Sequence, residues 1–114
     1  MSQYLLNNKA GVGGGKIPKE VTHAVYLTGS DQSYALINIV GYKKLHAAVG
    51  YYQYLQYNKV TVQLLDAAQA VLMSATPQNS GGTVDWNIPD NAVYVKVTQA
   101  YFNAGGTADI TLTQ

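Results

Sequence analysis

The side chains that could do acid–base or metal chemistry are few and scattered in this sequence. There are two histidines, His23 and His46, each within a stretch expected to form a strand. Zinc and calcium sites need several ligands at short spacing, and a nucleophile needs a nearby base. No such grouping occurs, so we predict no catalytic residue, no metal site and no enzymatic activity. The six acidic residues occur singly: Glu20, Asp31, Asp66, Asp85, Asp90 and Asp109.

Two long-range arrangements stay open, because folding can bring distant residues together. One is a carboxylate pair of the kind that hydrolyses glycosides. The other is a Ser–His–Asp set, although the sequence contains no Gly-x-Ser-x-Gly motif, which holds the serine in many hydrolases. A small hydrolase would need a concave pocket with two acids or a histidine at its base.

A glycine-rich run at residues 10–18 resembles a phosphate-binding loop only in part. That loop has the pattern Gly-x-x-x-x-Gly-Lys-Ser/Thr. Here Ala10 replaces the first glycine and Ile17 replaces the hydroxyl residue. Pro18 disfavours a helical conformation at the preceding residue, where the loop would have to enter its helix. The dinucleotide-binding pattern fails because Lys16 stands where its last glycine would be. We therefore predict no nucleotide and no other cofactor.

Tyrosine is unusually abundant, with ten tyrosines against one phenylalanine and one tryptophan. Tyrosine rings offer a large contact area and a hydroxyl that stays hydrated, which suits an interface. A structural role, with two rings in the core and two on the surface, is an equal alternative. Sugar stacking comes third, and base stacking last, because nucleic-acid platforms carry Lys and Arg around the rings. The cluster that raises the question is Tyr51, Tyr52, Tyr54 and Tyr57.

Composition excludes several function classes. The 114 residues are 47% hydrophobic but only 11% charged, with a formal net charge of +1 and no cysteine. A chain so weakly charged has little attraction for a nucleic-acid backbone or an anionic membrane. No segment approaches the about 20 apolar residues of a membrane helix, and no signal-peptide pattern opens the chain. We expect a soluble product, made in the cytoplasm and stabilised by packing alone.

The pattern of apolar residues predicts an all-β fold. From residue 21 onward, apolar and polar residues alternate in short runs separated by turn residues, as in β-sandwiches and barrels. Residues 66–75 are ambiguous between helix and strand, and we favour a turn followed by a short strand. We predict an antiparallel sandwich of about eight strands, jelly-roll-like, with strands at residues 21–28, 34–40, 45–49, 60–64, within 66–75, 84–88, 93–98 and 108–113.

The N-terminal residues differ from this domain. We divide the chain into an extended arm at residues 1–20 and a β-sandwich domain at residues 21–114. Closely spaced glycines follow a short apolar patch in the arm, so its backbone is expected to be unusually free. Two alternatives remain for what holds the arm: a neighbouring chain, which we favour, or the arm's own domain.

The order of these segments resembles the small β-sandwich decoration, or cement, proteins of tailed-phage capsids. The resemblance covers about residues 26–114 and rests on three stretches: VGYKKL at 40–45, VTVQLLDA at 60–67 and YVKVT at 94–98. It implies a jelly-roll-type homo-oligomer, a trimer in the favoured case, that clamps neighbouring major capsid subunits from the outer surface of the virion. The tyrosine-rich connection departs from that pattern.

We therefore expect a virion structural protein that acts by binding. The alternative is a carbohydrate-binding module that uses tyrosine platforms, for example in a phage fibre. The residues predicted to form the interface are Tyr4, Leu5, Leu6, Val12, Ile17, Tyr51, Tyr52, Tyr54 and Tyr57.

Overall fold

The fold consists of β-strands joined by turns. The computed structural model describes residues 3–7, 18–27, 34–51, 60–77, 81–99 and 106–114, with the backbone alone at residues 3–7, 51 and 99. The strands are β1 (Gln3–Asn7), β2 (Glu20–Leu27), β3 (Tyr34–Asn38), β4 (Lys44–Tyr51), β5 (Val60–Leu65), β6 (Val71–Ala75), β7 (Thr83–Asn87), β8 (Tyr94–Gln99) and β9 (Gly106–Thr113).

The strands form two sheets that pack as a sandwich. One sheet has the order β2-β9-β4-β7 and the other β1-β3-β8-β5-β6. From β2 to β9, all pairings are antiparallel, and every connection except β5–β6 crosses between the sheets. This order is that of a jelly roll, in which two four-stranded Greek keys close on one core. The predicted antiparallel, jelly-roll-like sandwich is confirmed.

Alternation along each strand builds the core. In β9, Ala108, Ile110 and Leu112 are fully buried while the residues between them are more exposed. The same alternation in β4 and β5 sends every second residue inward, because successive side chains leave a strand on opposite faces. The largest fully buried side chains are Ile37, Ile39, Leu45, Leu64, Ile110, Leu112, Val25, Val60, Val62, Val95 and Val97.

The ambiguous segment is a turn followed by a strand, as predicted. The carboxylate of Asp66 accepts hydrogen bonds from the backbone N–H groups of Ala68 and Ala70, at 2.9 and 2.8 Å. Gln69 adopts a φ of 65°, in the left-handed region. The turn therefore ends any helical tendency of this alanine-rich stretch before β6 begins.

The turn between β3 and β4 ends β3 earlier than the alternation predicted. The backbone N–H of Tyr42 donates to the carbonyl of Ile39 at 3.1 Å, and Gly41 has a φ of 97°. A type II turn requires a positive φ at its third residue, which glycine provides without strain. β3 therefore stops at Asn38, and Val40, predicted to end the strand, lies exposed in the turn.

Gly106 lies where the two sheets approach each other, and Gly50 lies beside it on the neighbouring strand β4. A Cβ added to Gly106 would lie 2.8 Å from Cγ2 of Val60 and 3.3 Å from the carbonyl oxygen of Gly50. A Cβ on Gly50 would lie 2.5 Å from the hydroxyl of Thr107. No side chain larger than hydrogen fits at Gly106 without movement of its neighbours.

The strand β1 pairs in parallel with β3, from Gln3 opposite Tyr34 to Asn7 opposite Asn38. Its backbone thus lies at the edge of its own chain's sheet, as in the second alternative for this segment. Residues 8–17 lie outside the described residues. The division into an arm at 1–20 and a domain at 21–114 stays a prediction.

Candidate functional site

The outer face of the four-stranded sheet presents side chains from all four of its strands. Each of its strands directs alternate residues away from the core, and the register of the sheet aligns them in rows. The side chains on this face are Glu20, Thr22, Ala24 and Tyr26 from β2; Thr107, Asp109, Thr111 and Thr113 from β9; Lys44, His46 and Ala48 from β4; and Thr83, Asp85 and Asn87 from β7. Gly50 adds bare backbone to it.

One row carries a hydrogen-bonded polar pair at each end. His46 Nδ1 lies 2.6 Å from Asp85 Oδ1, joining β4 to the edge strand β7. The hydroxyls of Thr22 and Thr111 lie 3.0 Å apart and join β2 to β9. Because Thr111 is also opposite His46 in the register, the row crosses all four strands.

Next to this row lies an open polar groove of about 370 Å³. His46 and Asp85 form one wall, and Lys44 and Asn87, paired in the next row, form the other. Alternation turns the side chains of the intervening residues, Leu45 and Trp86, toward the core. The residues that line the groove, which we call the polar groove, are Lys44, Leu45, His46, Asp85, Trp86, Asn87 and Thr113.

The His46–Asp85 pair shares one feature with a hydrolase site, a carboxylate that holds the imidazole in one orientation. The pair is open to solvent, since 49% of the His46 side chain and 72% of that of Asp85 are exposed. The nearest hydroxyl in the row, on Thr111, contacts Thr22 rather than the imidazole. The arrangement can hydrogen-bond a small polar ligand, but no hydroxyl of the described residues is bonded to the imidazole.

Sequence reasoning missed this pair. The two residues are 39 positions apart, and only the β4–β7 register brings them together. Alternation did indicate that both side chains point away from the core, since each residue lies between inward-facing neighbours. The other histidine, His23, lies half-buried on the inward side of β2, and burial lowers its pKa from the ordinary value.

The opposite end of the face carries short side chains. Ala24, Ala48, Gly50, Thr83 and Thr107 lie in the two rows farthest from the polar groove. We call these five residues the small-residue patch. Asp109 lies within it as the one charged side chain among the described residues there, and Tyr26 stands at its margin with 67% of its surface exposed.

Most residues of the predicted interface lie outside the part of the chain whose side chains the structure describes. Val12, Ile17, Tyr52, Tyr54 and Tyr57 fall outside the described residues. The backbone of Tyr51 ends β4 opposite Gly106, and Tyr26 is one row away from that end. The interface therefore stays a prediction. Tyr4, Leu5 and Leu6 lie in β1, where the backbone alone is described.

Three of the four tyrosines with described side chains occupy clearly different environments. Tyr26 is exposed, and the ring of Tyr34 lies under the ammonium group of Lys96, 4.7 Å from nitrogen to ring centre. Tyr42 is 4% exposed, and its hydroxyl has no hydrogen-bond partner among the described residues. Of these, Tyr26 alone offers its ring to a partner.

Within the described ranges, no three residues among His, Cys, Asp and Glu are grouped to hold a metal ion. The same ranges include no helix that is long and apolar enough to cross a membrane.

No protein-family model matches this chain, and no curated protein matches it in sequence. Its fold is similar to several solved structures. The SPBc2 prophage-derived protein YomS is 8% identical with a TM-score of 0.59, and the match covers 87% of this chain and 98% of YomS. The lectin domain of lectinolysin, solved with Lewis B antigen, is 11% identical with a TM-score of 0.52, over 76% of this chain and 70% of that one.

The K2 adhesin domain of Lys-gingipain is 12% identical with a TM-score of 0.53, over 84% of this chain and 90% of that domain. At such identities the likeness concerns the fold. This chain is a jelly-roll β-sandwich, and its neighbours include a prophage-derived protein and domains named for binding rather than for catalysis.

Proposed function

We propose that this chain is a virion structural protein, a capsid decoration protein that binds neighbouring major capsid subunits through the small-residue patch and Tyr26. The observation that carries the proposal is the patch itself. A partner can approach the sheet face closely where the side chains are as short as Ala24 and Ala48. Short side chains also lose little conformational entropy on binding.

Tyr26 supplies the anchor of the proposed interface. An exposed tyrosine at the margin of a flat surface can bury its ring in a partner's pocket and keep its hydroxyl hydrogen-bonded. Asp109 requires a complementary group, because an unpaired buried carboxylate is costly. We therefore expect the capsid surface to present a Lys, an Arg or a backbone N–H group opposite Asp109.

The remaining contacts come from the residues predicted by sequence. In the proposal, the tyrosines at positions 51, 52, 54 and 57 and the N-terminal residues contact neighbouring subunits on the outer surface of the virion. Several copies, three in the favoured case, bind together, so that each weak contact raises the effective concentration of the next. Deletion of residues 1–19 with unaltered capsid binding would remove the N-terminal segment from this scheme.

Two observations support a phage origin. Jelly rolls are common in viral capsid proteins as well as in lectins. YomS, which has a similar fold, is prophage-derived. A fold hosts many functions, so the test concerns the surface.

The test introduces a long, charged side chain into the small-residue patch. Ala48→Lys puts an ammonium group at its centre, and Gln63→Lys, on the outer face of the other sheet, is the matched control. We expect Ala48→Lys to lower the affinity for capsids of the encoding virus at least tenfold in a co-sedimentation assay, and Gln63→Lys to leave it unchanged. Equal binding by both variants, with circular dichroism and melting temperature preserved, would contradict the proposal.

Carbohydrate binding is the second candidate, favoured by the polar groove. Planar polar groups such as those of Asp85, Asn87 and His46 are suited to bond sugar hydroxyls in a fixed orientation. The fold is also shared with a lectin domain solved with Lewis B antigen. Under this alternative, Asp85→Ala abolishes binding on a glycan array and leaves capsid binding intact. The opposite result, with no glycan bound by the unaltered chain, rejects it.

A further inference from the structure

Strand β6 forms one edge of the five-stranded sheet. It pairs with β5 on one side, and no described strand lies on the other. The backbone N–H and C=O groups on that side have no strand partner among the described residues and can bond to another strand. Such an edge is a template for pairing unless charges, proline or distortion protect it.

Charge does not protect this edge. The segment from Ala67 to Val84 contains no charged residue, and β6 lies within it. Both edge strands of the other sheet carry an acid directed outward, Glu20 in β2 and Asp85 in β7. Within the described residues, β6 is thus an edge without the usual electrostatic safeguard.

The side chains at this edge are also apolar. Val71 is 54% exposed, and Leu72 and Met73 are half-buried against the core. A bulge opposite Leu64 and Leu65 distorts the beginning of β6, but from Met73 to Ala75 the pairing with β5 is regular. The regular part keeps the extended geometry that a further strand requires.

We propose that β6 is a self-association site, where the β6 strands of two copies pair antiparallel across a two-fold axis. Symmetric pairing sets each residue opposite an uncharged residue of the second copy, so no like charges meet. The same pairing about Asp85 in β7 would oppose two carboxylates. A two-fold axis is the commonest symmetry of protein oligomers, and pairing here joins two five-stranded sheets into one.

The association is weak in dilute solution. Strand β6 has only five residues, and stable interfaces typically bury about 1,200 Å² or more, so we expect the paired copies to separate on dilution. This interface stands independently of capsid binding.

The absence of cysteine from the chain makes the pairing directly measurable. We would introduce one cysteine at a time at Leu72, Met73 or Ser74, and at Thr83 in β7 as the edge-strand control. Under mild oxidation, a position near the two-fold axis forms a disulfide-linked dimer, because opposed Cα atoms lie about 5 Å apart. The Thr83 variant should stay monomeric on a non-reducing gel.

Charge variants test the same interface without cross-linking. Ser74 is exposed, so Ser74→Lys tests pairing with little effect on the core. In sedimentation equilibrium at millimolar concentration, we expect Ser74→Lys to weaken self-association at least tenfold. An equimolar mixture of Ser74→Lys and Ser74→Glu should restore it, which a folding defect could not do.

Three results would overturn the proposal. The unaltered chain could be monomeric at every concentration; it could form an oligomer that neither Ser74 variant changes and no β6 cysteine cross-links; or the β6 cysteines could cross-link to capsid protein instead of to each other on assembled particles.

Discussion

Removal of a single polar group, the hydroxyl of Tyr42, should increase the stability of the fold. Its side chain is 4% exposed, and its hydroxyl is the one buried side-chain polar atom among the described residues that lacks a hydrogen-bond partner. Leaving a buried hydroxyl unsatisfied costs about 1–3 kcal/mol, whereas the void left by one oxygen costs a few tenths. We therefore expect Tyr42→Phe to raise the free energy of unfolding by about 1 kcal/mol.

The same residue makes stability depend on alkaline pH. Burial raises the pKa of Tyr42 above its ordinary value of 10.0. The unfolded chain therefore ionises this tyrosine at lower pH than the folded chain does. The part of the free energy of unfolding that depends on Tyr42 being neutral is fully present below about pH 10. It is lost as the pH rises through the folded-state pKa. Tyr42→Phe should flatten the loss of stability above pH 10.

Urea unfolding followed by the fluorescence of Trp86 measures both effects, since this single tryptophan packs against the core. A gain of about 1 kcal/mol corresponds to a melting temperature higher by about 4 °C for a domain of this size. Tyr26→Phe is the control and should change stability by less than about 0.5 kcal/mol, because its hydroxyl is exposed. A loss of 1 kcal/mol or more in Tyr42→Phe would mean that the hydroxyl is hydrogen-bonded, which refutes the reasoning.

Two further substitutions test the architecture. Gly106→Ala forces a Cβ to within 2.8 Å of Val60, so we expect a loss of about 1–3 kcal/mol in thermal unfolding, and a double mutant with Val60→Ala should lose less than the sum of the two single losses. An additive double mutant would contradict this contact. Asp66→Ala removes the acceptor of two backbone N–H groups, and we expect a loss of about 1–2 kcal/mol that Asp66→Asn partly recovers. Unchanged stability of Asp66→Ala would show that the turn forms without the carboxylate.

Much of the fold followed from local pattern. Alternation identified the strands around Val62, Val95 and Ile110, and residues 66–75 proved to be a turn and a strand. The outward position of Tyr26, between the inward Val25 and Leu27, could have been predicted by the same rule. Alternation of polar and apolar residues is a property of consecutive positions, so each strand can be recognised from its own residues alone.

The surfaces depended on tertiary structure. Alternation predicts that His46 and Asp85 point outward. It does not predict that β4 lies beside β7, which brings His46 Nδ1 to 2.6 Å from Asp85 Oδ1. Alternation also does not predict that β6 is an edge strand, or that the side chain of Tyr42 enters the core from a turn.

The sequence by itself therefore determined an all-β sandwich with little charge and with no catalytic or metal-ligand motif at short spacing. The tertiary structure decided the order of the strands, and with it the polar groove, the small-residue patch and the free edge at β6. The physical reason is that strand order and register arise from contacts between distant parts of the chain, where the loss of entropy on closing long loops is offset by packing of the complete core.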